Sequence, residues 1–411
     1  MKILHTADWH MNSHLGRRDL TPHIVASLER IAGYLDEHRV DVMIVAGDLF
    51  SERSRDEGMM HALTDLRRVF GPFVARGGTI VAVAGNHDSE TRFETLRHSL
   101  SLGAGGSHGR FILGADPGFV ALPDDLAGRV QFVLLPFPTP RRYGTEGENA
   151  IYSSFEERNL ALQSEFARRL ERIRAESVSP QFPTVLVSHV HVRGAQSHSL
   201  FGVTESEDVV FDPSLIPREW AYGAYGHIHK PGAAVAGMEH LRYAGSPIAL
   251  DAAERFDHKS CVLFELDQSG VRGELRLLPL GGPRIAQIEI DATVEAPETL
   301  IARLTEEHRD DLVHYTLRFN PQSHSFAALK SGIERALPGV YGFAVEEVGA
   351  QISDGPIVLG SSSEEEAAPV LALSGDARAN VREFLSRRLQ LHGDGEAIGA
   401  LAEELMTETL V

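Results

Sequence analysis

The chain has 411 residues, 43% hydrophobic and 24% charged, which is the composition of a folded protein with room for two or three domains. A single cysteine, Cys261, excludes an internal disulfide framework and a cysteine-rich zinc site. The formal charge of -19 argues against a chain that coats nucleic acid by bulk attraction, so any polyanion would have to be met by local cations.

Polar chemistry begins within a few residues of Met1, no apolar run is long enough to span a bilayer, and the protein is expected in the cytoplasm, away from membranes. Lys2 to Thr6 reads as a buried strand and leads into Asp8-Trp9-His10. Thr21-Pro22 reads as a cap followed by proline at the first helical position, with Val25, Leu28, Ile31 and Leu35 at helical spacing. A second apolar run, Asp41 to Ala46, leads into Gly47-Asp48, and a helix is expected over Met59 to Val69. The run Thr79 to Ala84 leads into Gly85-Asn86-His87-Asp88. A longer helix over Phe155 to Ile173 places Leu162, Phe166, Leu170 and Ile173 on one face. Thr184 to Val187 then leads into Ser188-His189-Val190-His191, and Trp220 to Tyr225 into Gly226-His227-Ile228-His229. Strands alternating with helices imply a layered α/β core, with ligands gathering beyond the carboxyl ends of its strands.

His240 to Ala244 and Ser260 to Leu266 lack long helices between them and are expected to continue the sheet as antiparallel pairs. Gly281-Gly282-Pro283 marks a boundary, closing a first domain over 1–280. A small α+β module is expected over 284–350, with strands near Ile285 to Ile290, Val313 to Phe319 and Tyr341 to Val348, and helices near Pro297 to Glu307 and Ser325 to Ala336. The serine- and glutamate-rich stretch 351–375 reads as a solvated linker. Residues 376–411 carry two amphipathic patterns, Val381, Phe384, Leu385 and Leu389, then Ile398, Leu401 and Leu405, split by Gly393-Asp394-Gly395. Two short helices cannot bury both apolar faces alone, so either a partner or the core must cover them.

The chemistry gathers at the strand ends: Asp8, His10, Asp48, Asn86, His87, Asp88, His189, His227 and His229. Any one of these motifs arises by chance, and a single histidine is more often a surface or packed residue than a ligand. The ordered set across five strand ends is far more specific. Carboxylate, amide and imidazole donors without thiolate suit manganese, with iron or zinc also possible. Two cations roughly 3.5–4 Å apart repel one another, so a shared anionic ligand belongs between them, and Asp48 is the natural bridge.

These motifs resemble the calcineurin-like metallophosphoesterase superfamily, and within it the SbcD-type DNA nucleases, whose partner is the SMC-like ATPase SbcC. Asp8-Trp9-His10, Gly226-His227-Ile228-His229-Lys230-Pro231 and Tyr243-Ala244-Gly245-Ser246-Pro247 carry the closer likeness, which covers roughly residues 1–265. The resemblance implies a layered sheet core flanked by helices, a small capping domain that binds DNA, and a C-terminal helix–loop–helix that binds the ATPase. It places Asp8, His10, Asp48 and His229 on one metal, and Asp48, Asn86, His189 and His227 on the other. His87 would stabilise the transition state and protonate the leaving oxygen, with Asp88 holding its imidazole. The activity implied is exonuclease and single-strand endonuclease in double-strand break repair and recombination, by a homodimer formed through Met59 to Val69 and Phe93 to Leu102. The chain departs from the family at Leu49-Phe50-Ser51-Glu52, where some members carry a histidine, and in the longer segment Met11 to Arg17.

Two other functions compete: a phosphomonoesterase or cyclic-nucleotide phosphodiesterase on the same metals, and a DNA-binding scaffold without catalysis. Trp9 reads as a site-wall aromatic rather than a base-stacking platform, His5 as packed, and His191 as a neighbour of the ligands. Arg17, Arg18, Arg53 and Arg55 follow metal motifs and are candidates for phosphate contacts, against the ordinary reading of loop arginines as solvated. Cys261, in an apolar strand, reads as inert.

Overall fold

Val42–Ala46, Thr79–Val83, Gln131–Leu135, Thr184–His189 and Tyr222–Gly226 are buried at every position. A strand without an exposed side needs cover on both faces, and parallel pairing between helices supplies it. In the computed structural model these strands fall into two six-stranded sheets. The structure describes residues 1–51, 56–102, 110–122, 130–144, 152, 154–195, 209–216 and 219–348. The expected linker over 351–375, the helix pair over 376–411, and Arg53 and Arg55 lie outside these residues.

The first sheet runs in the order Gly270–Pro279, Ser260–Asp267, Lys2–Thr6, Val42–Ala46, Thr79–Val83, Phe111–Gly114. Its last four strands are parallel, with Ile3 opposite Val42 and Val42 opposite Thr79, while Ser260–Asp267 lies antiparallel beside Lys2–Thr6. The second sheet runs Gly232–Ala233, Leu241–Tyr243, Tyr222–Gly226, Thr184–His189, Gln131–Leu135, Gly118–Ala121. The expected antiparallel continuation holds for Ser260–Asp267 and in part for Leu241–Tyr243, which lies antiparallel to Gly232–Ala233 but parallel to Tyr222–Gly226. The strands Phe111–Gly114, Gly118–Ala121 and Gln131–Leu135 were not anticipated from the sequence.

The two sheets pack face to face. Ile3, Val42, Ile44, Val81 and Val83 meet Phe132, Leu134, Val185, Val187 and Tyr222 in one core cluster. Alternation sends Val133, Leu135, Leu186 and Tyr225 to the other side of the second sheet, against Leu162, Phe166 and Leu170 of the helix Phe155–Ser177. The helices Thr21–Glu37 and Asp56–Ala75 pack on one another, and the latter packs on the Thr79–Val83 strand. The result is four layers, helix, sheet, sheet, helix. Thr21 is not the cap of its helix: Leu20 holds that position, and the Asp19 carboxylate accepts from the Thr21 backbone N–H at 2.8 Å. Among the described residues no helix is long and apolar enough to cross a membrane.

The chain divides into Met1–Ala286 with Asp310–Leu312, and Gln287–Arg309 with Val313–Val411. A three-stranded sheet in the order Ile285–Asp291, Leu312–Phe319, Val340–Glu347 is the framework of the described part of the smaller unit. Its helices Pro297–His308 and Phe326–Ala336 pack together and bury Leu300, Leu304, Leu329 and Ile333.

Candidate metal centre

Each expected residue sits just past, or at the end of, a buried strand, but the strands come from both sheets. Asp8, Asp48 and Asn86 follow strands of the first sheet, while His189 and His227 belong to strand ends of the second. Two contacts stitch the sheets together here: His189 Nδ1–H donates to the Ala46 carbonyl at 2.7 Å, and the His227 N–H donates to Asp8 Oδ1 at 2.9 Å.

Glycine precedes the motifs for a steric reason. A Cβ on Gly226 would collide with the Ala46 carbonyl oxygen, and one on Gly85 would collide with the Asp48 carboxylate. The non-glycine residues are themselves strained. Asp8, His10, Asp48 and His227 all adopt positive φ, at 52°, 45°, 51° and 95°. Such backbone costs roughly 1–3 kcal/mol per residue and concentrates where function demands a fixed side-chain direction.

Asp48 lies at the middle of the array. Its Oδ2 is 3.4 Å from His10 Nε2 on one side and 3.3 Å from His189 Nε2 on the other, and its Oδ1 accepts the His87 backbone N–H at 2.9 Å. On the His10 side, His10 Nε2 is 3.1 Å from His229 Nε2, and Asp8, His10 and His229 can offer ligand atoms to one ion. On the His189 side, Asn86 Oδ1 is 3.0 Å from His189 Nε2 and 3.1 Å from His227 Nδ1.

The donor set fits cations. Asp8 Oδ2 is buried with no hydrogen-bond partner. His189 directs its Nδ1–H at Ala46, and His229 directs its Nδ1–H at Glu254 Oε1, 2.8 Å away, so each turns Nε2 toward the centre. These Nε2 atoms converge on the oxygens of Asp48 and Asn86 and on His10 Nε2, a cluster of donor atoms that needs either protons or a cation between its members. Burial raises the Asp8 carboxyl and keeps the His10 imidazole well below its ordinary value. Burial would raise Asp48 too, but the imidazoles of His189 and His10 outweigh it and hold that carboxyl well down. His189, which burial alone would lower, is pushed up to about 9 by Asp48 and Asp8. Without metal the site therefore holds protons that a cation would displace.

The Asp88 carboxylate is held by the backbone of two loops. Its Oδ2 accepts backbone N–H groups from Gly85 at 2.9 Å and Leu49 at 3.3 Å, and its Oδ1 accepts from Phe50 at 3.1 Å. These bonds brace the loop carrying Asn86 and His87. His87 itself is half-buried, its ring 4.9 Å from that of His10.

Three supporting residues were missed in the sequence. Glu254 holds His229, Lys259 donates to Glu254 Oε2 at 2.7 Å, and Arg142 donates to the carbonyls of Gly85 and Asp88 at 3.0 and 2.9 Å. None lies in a motif with a recognisable spacing. The secondary readings fare as expected. Trp9 is buried and stacks on Phe70 with its indole N–H on Thr6 Oγ1. His5 is packed against Tyr222, and burial pushes the Cys261 thiol up to about 12. Arg17 is exposed, and Arg18 belongs to a short hairpin, His14–Leu15 with Arg18–Asp19.

The calcineurin-like phosphoesterase family model matches residues 1–231. Three relatives, each named as the SbcD component of the nuclease SbcCD, are similar to this chain. That of Rhodobacter capsulatus is 28% identical over 330 residues, covering 74% of this chain and 75% of the relative. That of Bacillus subtilis is 26% identical over 288 residues, 64% of this chain and 66% of the relative. That of Escherichia coli K12 is 28% identical over 267 residues, 62% of each.

Proposed function

The chain belongs to the calcineurin-like phosphoesterases, metal-dependent hydrolases of phosphate esters, and from that premise we propose that it is a two-metal DNA nuclease. The observation that carries the reading is the Asp48 carboxylate oxygen lying 3.4 and 3.3 Å from imidazoles contributed by opposite halves of the array. Asp8, His10, Asp48 and His229 would hold one divalent ion, and Asp48, Asn86, His189 and His227 the other, with manganese the best match to the donors. When bound, such a pair lowers the pKa of water and draws charge from a phosphodiester.

The remaining work falls to this chain's own groups. The His87 imidazole stands beside His10 and supplies a positive charge and a proton to the departing oxygen. Asp88 and Arg142 fix the loop that carries it. Nuclease activity is supported by the likeness to the three relatives, and DNA as substrate, with exonuclease and single-strand endonuclease cutting in break repair and recombination, follows from the motif resemblance alone. The relatives are named as one subunit of a complex, which supports a second subunit here; an SMC-like SbcC-type ATPase in that place, bound in the cytoplasm through residues 376–411, follows from the motif resemblance. A second copy of the chain would pack on the groove of about 570 Å³ between Asp56–Ala75 and Glu90–Leu102, whose walls include Met59, Met60, Leu63, Phe93 and Leu96. The small unit is proposed as a cap. Residues 287–348 hold eleven Asp and Glu against five Lys and Arg, so any DNA contact there must be local.

The test uses the purified protein with manganese on a single-stranded oligonucleotide and, separately, on p-nitrophenyl phosphate. DNA cleavage is expected, falling roughly 10²–10⁴-fold in His87→Ala. Activity confined to the monoester would instead mark a small-substrate phosphoesterase, and inertness on both a scaffold.

A further inference from the structure

Among the described residues, the non-ligand side chains that brace the ligands fall into two groups, while the ligands themselves meet at Asp48 and where Asp8 Oδ1 accepts the His227 N–H. On the His229 side, Glu254 Oε1 takes the imidazole Nδ1–H at 2.8 Å. Its other oxygen accepts from Lys259 Nζ at 2.7 Å, Ser246 Oγ at 3.2 Å and the Leu250 N–H at 3.2 Å. Lys259 also donates to the carbonyl of His229 itself at 2.9 Å and to Asp257 at 3.2 Å. The Glu254 and Lys259 side chains are only 2% and 4% exposed, so the network is dry, and one ligand residue is gripped at both ring and backbone.

On the Asn86 side, the Arg142 guanidinium is equally buried. One of its nitrogens donates to the carbonyls of Gly85 at 3.0 Å and Phe137 at 3.1 Å, and the other to that of Asp88 at 2.9 Å. Gly85 and Asp88 flank Asn86-His87, and the Asp88 carboxylate closes the loop back onto the Gly85 N–H at 2.9 Å. The Phe137 ring stacks on His227 with centroids 5.6 Å apart and meets the edge of His189 at 6.2 Å. Arg142 therefore fixes the backbone around Asn86 and the aromatic wall behind His227 and His189 at once. A planar fork spreads its donors over two nitrogens in fixed directions, and a single lysine ammonium does not reproduce that geometry.

We propose that the two metal positions are braced independently, the His229 position by Glu254 and Lys259 and the Asn86 position by Arg142, so that either can be emptied without the other. Glu254 and Arg142 are positioning residues: they act through ligands, not on substrate. The inference rests on the two-metal reading.

Calorimetric titration of the metal-free, full-length protein with Mn²⁺ tests it, paired with anomalous diffraction from manganese-soaked crystals. Losing the carboxylate or guanidinium behind a ligand lowers metal affinity by about 10–100-fold. In Glu254→Gln one of two Mn²⁺ ions should weaken by that factor, with anomalous density kept beside Asn86 and lost beside His229. Arg142→Lys should give the reverse pattern. Should Arg142→Lys fail to fold, Phe137→Leu tests the same half by removing the ring behind His227. Loss of both ions together in either variant, or two ions bound as tightly as in the unmodified protein, overturns independent bracing. An unmodified protein that binds fewer than two ions overturns the two-metal reading itself.

Discussion

Replacing Asp88 by asparagine separates two roles that one carboxylate could have. The structure shows it accepting three backbone N–H bonds, from Gly85 at 2.9 Å, Leu49 at 3.3 Å and Phe50 at 3.1 Å. Asparagine has one acceptor oxygen. With that oxygen in the Oδ2 position, two bonds survive and the amide NH₂ faces the Phe50 N–H, donor against donor; reversed, two bonds are lost. A hydrogen bond to a charged group is worth about 1.5–3 kcal/mol, and the buried N–H left behind adds to the loss. The expected destabilisation is therefore about 2–3 kcal/mol, a fall of roughly 3–5 °C in Tm for a domain of this size. Burial and the Asp48 charge push Asp88 up to about 6, so melts of the metal-free protein at pH 8 compare ionised carboxylate with amide. Because Asn86 and His87 ride on this loop, a shift of about 1 Å should also cost roughly 10²-fold in rate. A variant that melts within about 1 °C of the unmodified protein, yet shows a displaced limb in the pH profile of kcat, would refute the loop-bracing role and restore the imidazole-orienting one.

His5 should make the protein acid-sensitive. Burial lowers its pKa to about 3 from an ordinary 6.5, so the fold binds it neutral while the unfolded chain takes up a proton below about 6.5. Its contribution is present above that pH and lost as pH falls toward 3, about 2 kcal/mol by pH 5. Urea titrations of metal-free protein at pH 7.5 and 5 should show that loss reduced by about this amount in His5→Gln; equal losses in both proteins would contradict it. Gly226→Ala should force apart the seam between the sheets, since its Cβ would strike the Ala46 carbonyl and lie 2.8 Å from His189 Nδ1. About 1–3 kcal/mol of stability should be lost, with weakened Mn²⁺ binding, and an unchanged melting curve with and without metal would count against the close approach.

Much of the centre could be read in the amino-acid order because its ligands occupy fixed places relative to buried strands. Asp8-Trp9-His10, Gly47-Asp48, Gly85-Asn86 and Gly226-His227 each pair a strand end with a polar side chain, and the glycines are demanded by the contacts seen at Gly85 and Gly226. The number of sheets was not legible. Strands buried on both faces, such as Val42–Ala46 and Thr184–His189, carry no alternation that says which sheet they join. Phe111–Gly114 and Gly118–Ala121 are only four residues each, too short for a periodicity. The braces were hidden for another reason: Glu254 reaches His229 across 25 residues and Arg142 reaches Gly85 across 57, and local pattern does not report such contacts. Asp88 was visible, but the Leu49 and Phe50 N–H groups it accepts lie 39 and 38 residues away and leave no local pattern.

Anomalous diffraction at the manganese edge from crystals of the unmodified protein soaked in Mn²⁺ bears most directly on the shared carboxylate. Two peaks should flank Asp48, about 3.5–4 Å apart, one against His10 and His229 and the other against Asn86, His189 and His227. A single peak, or a pair that does not have the Asp48 side chain between them, would contradict the dinuclear centre.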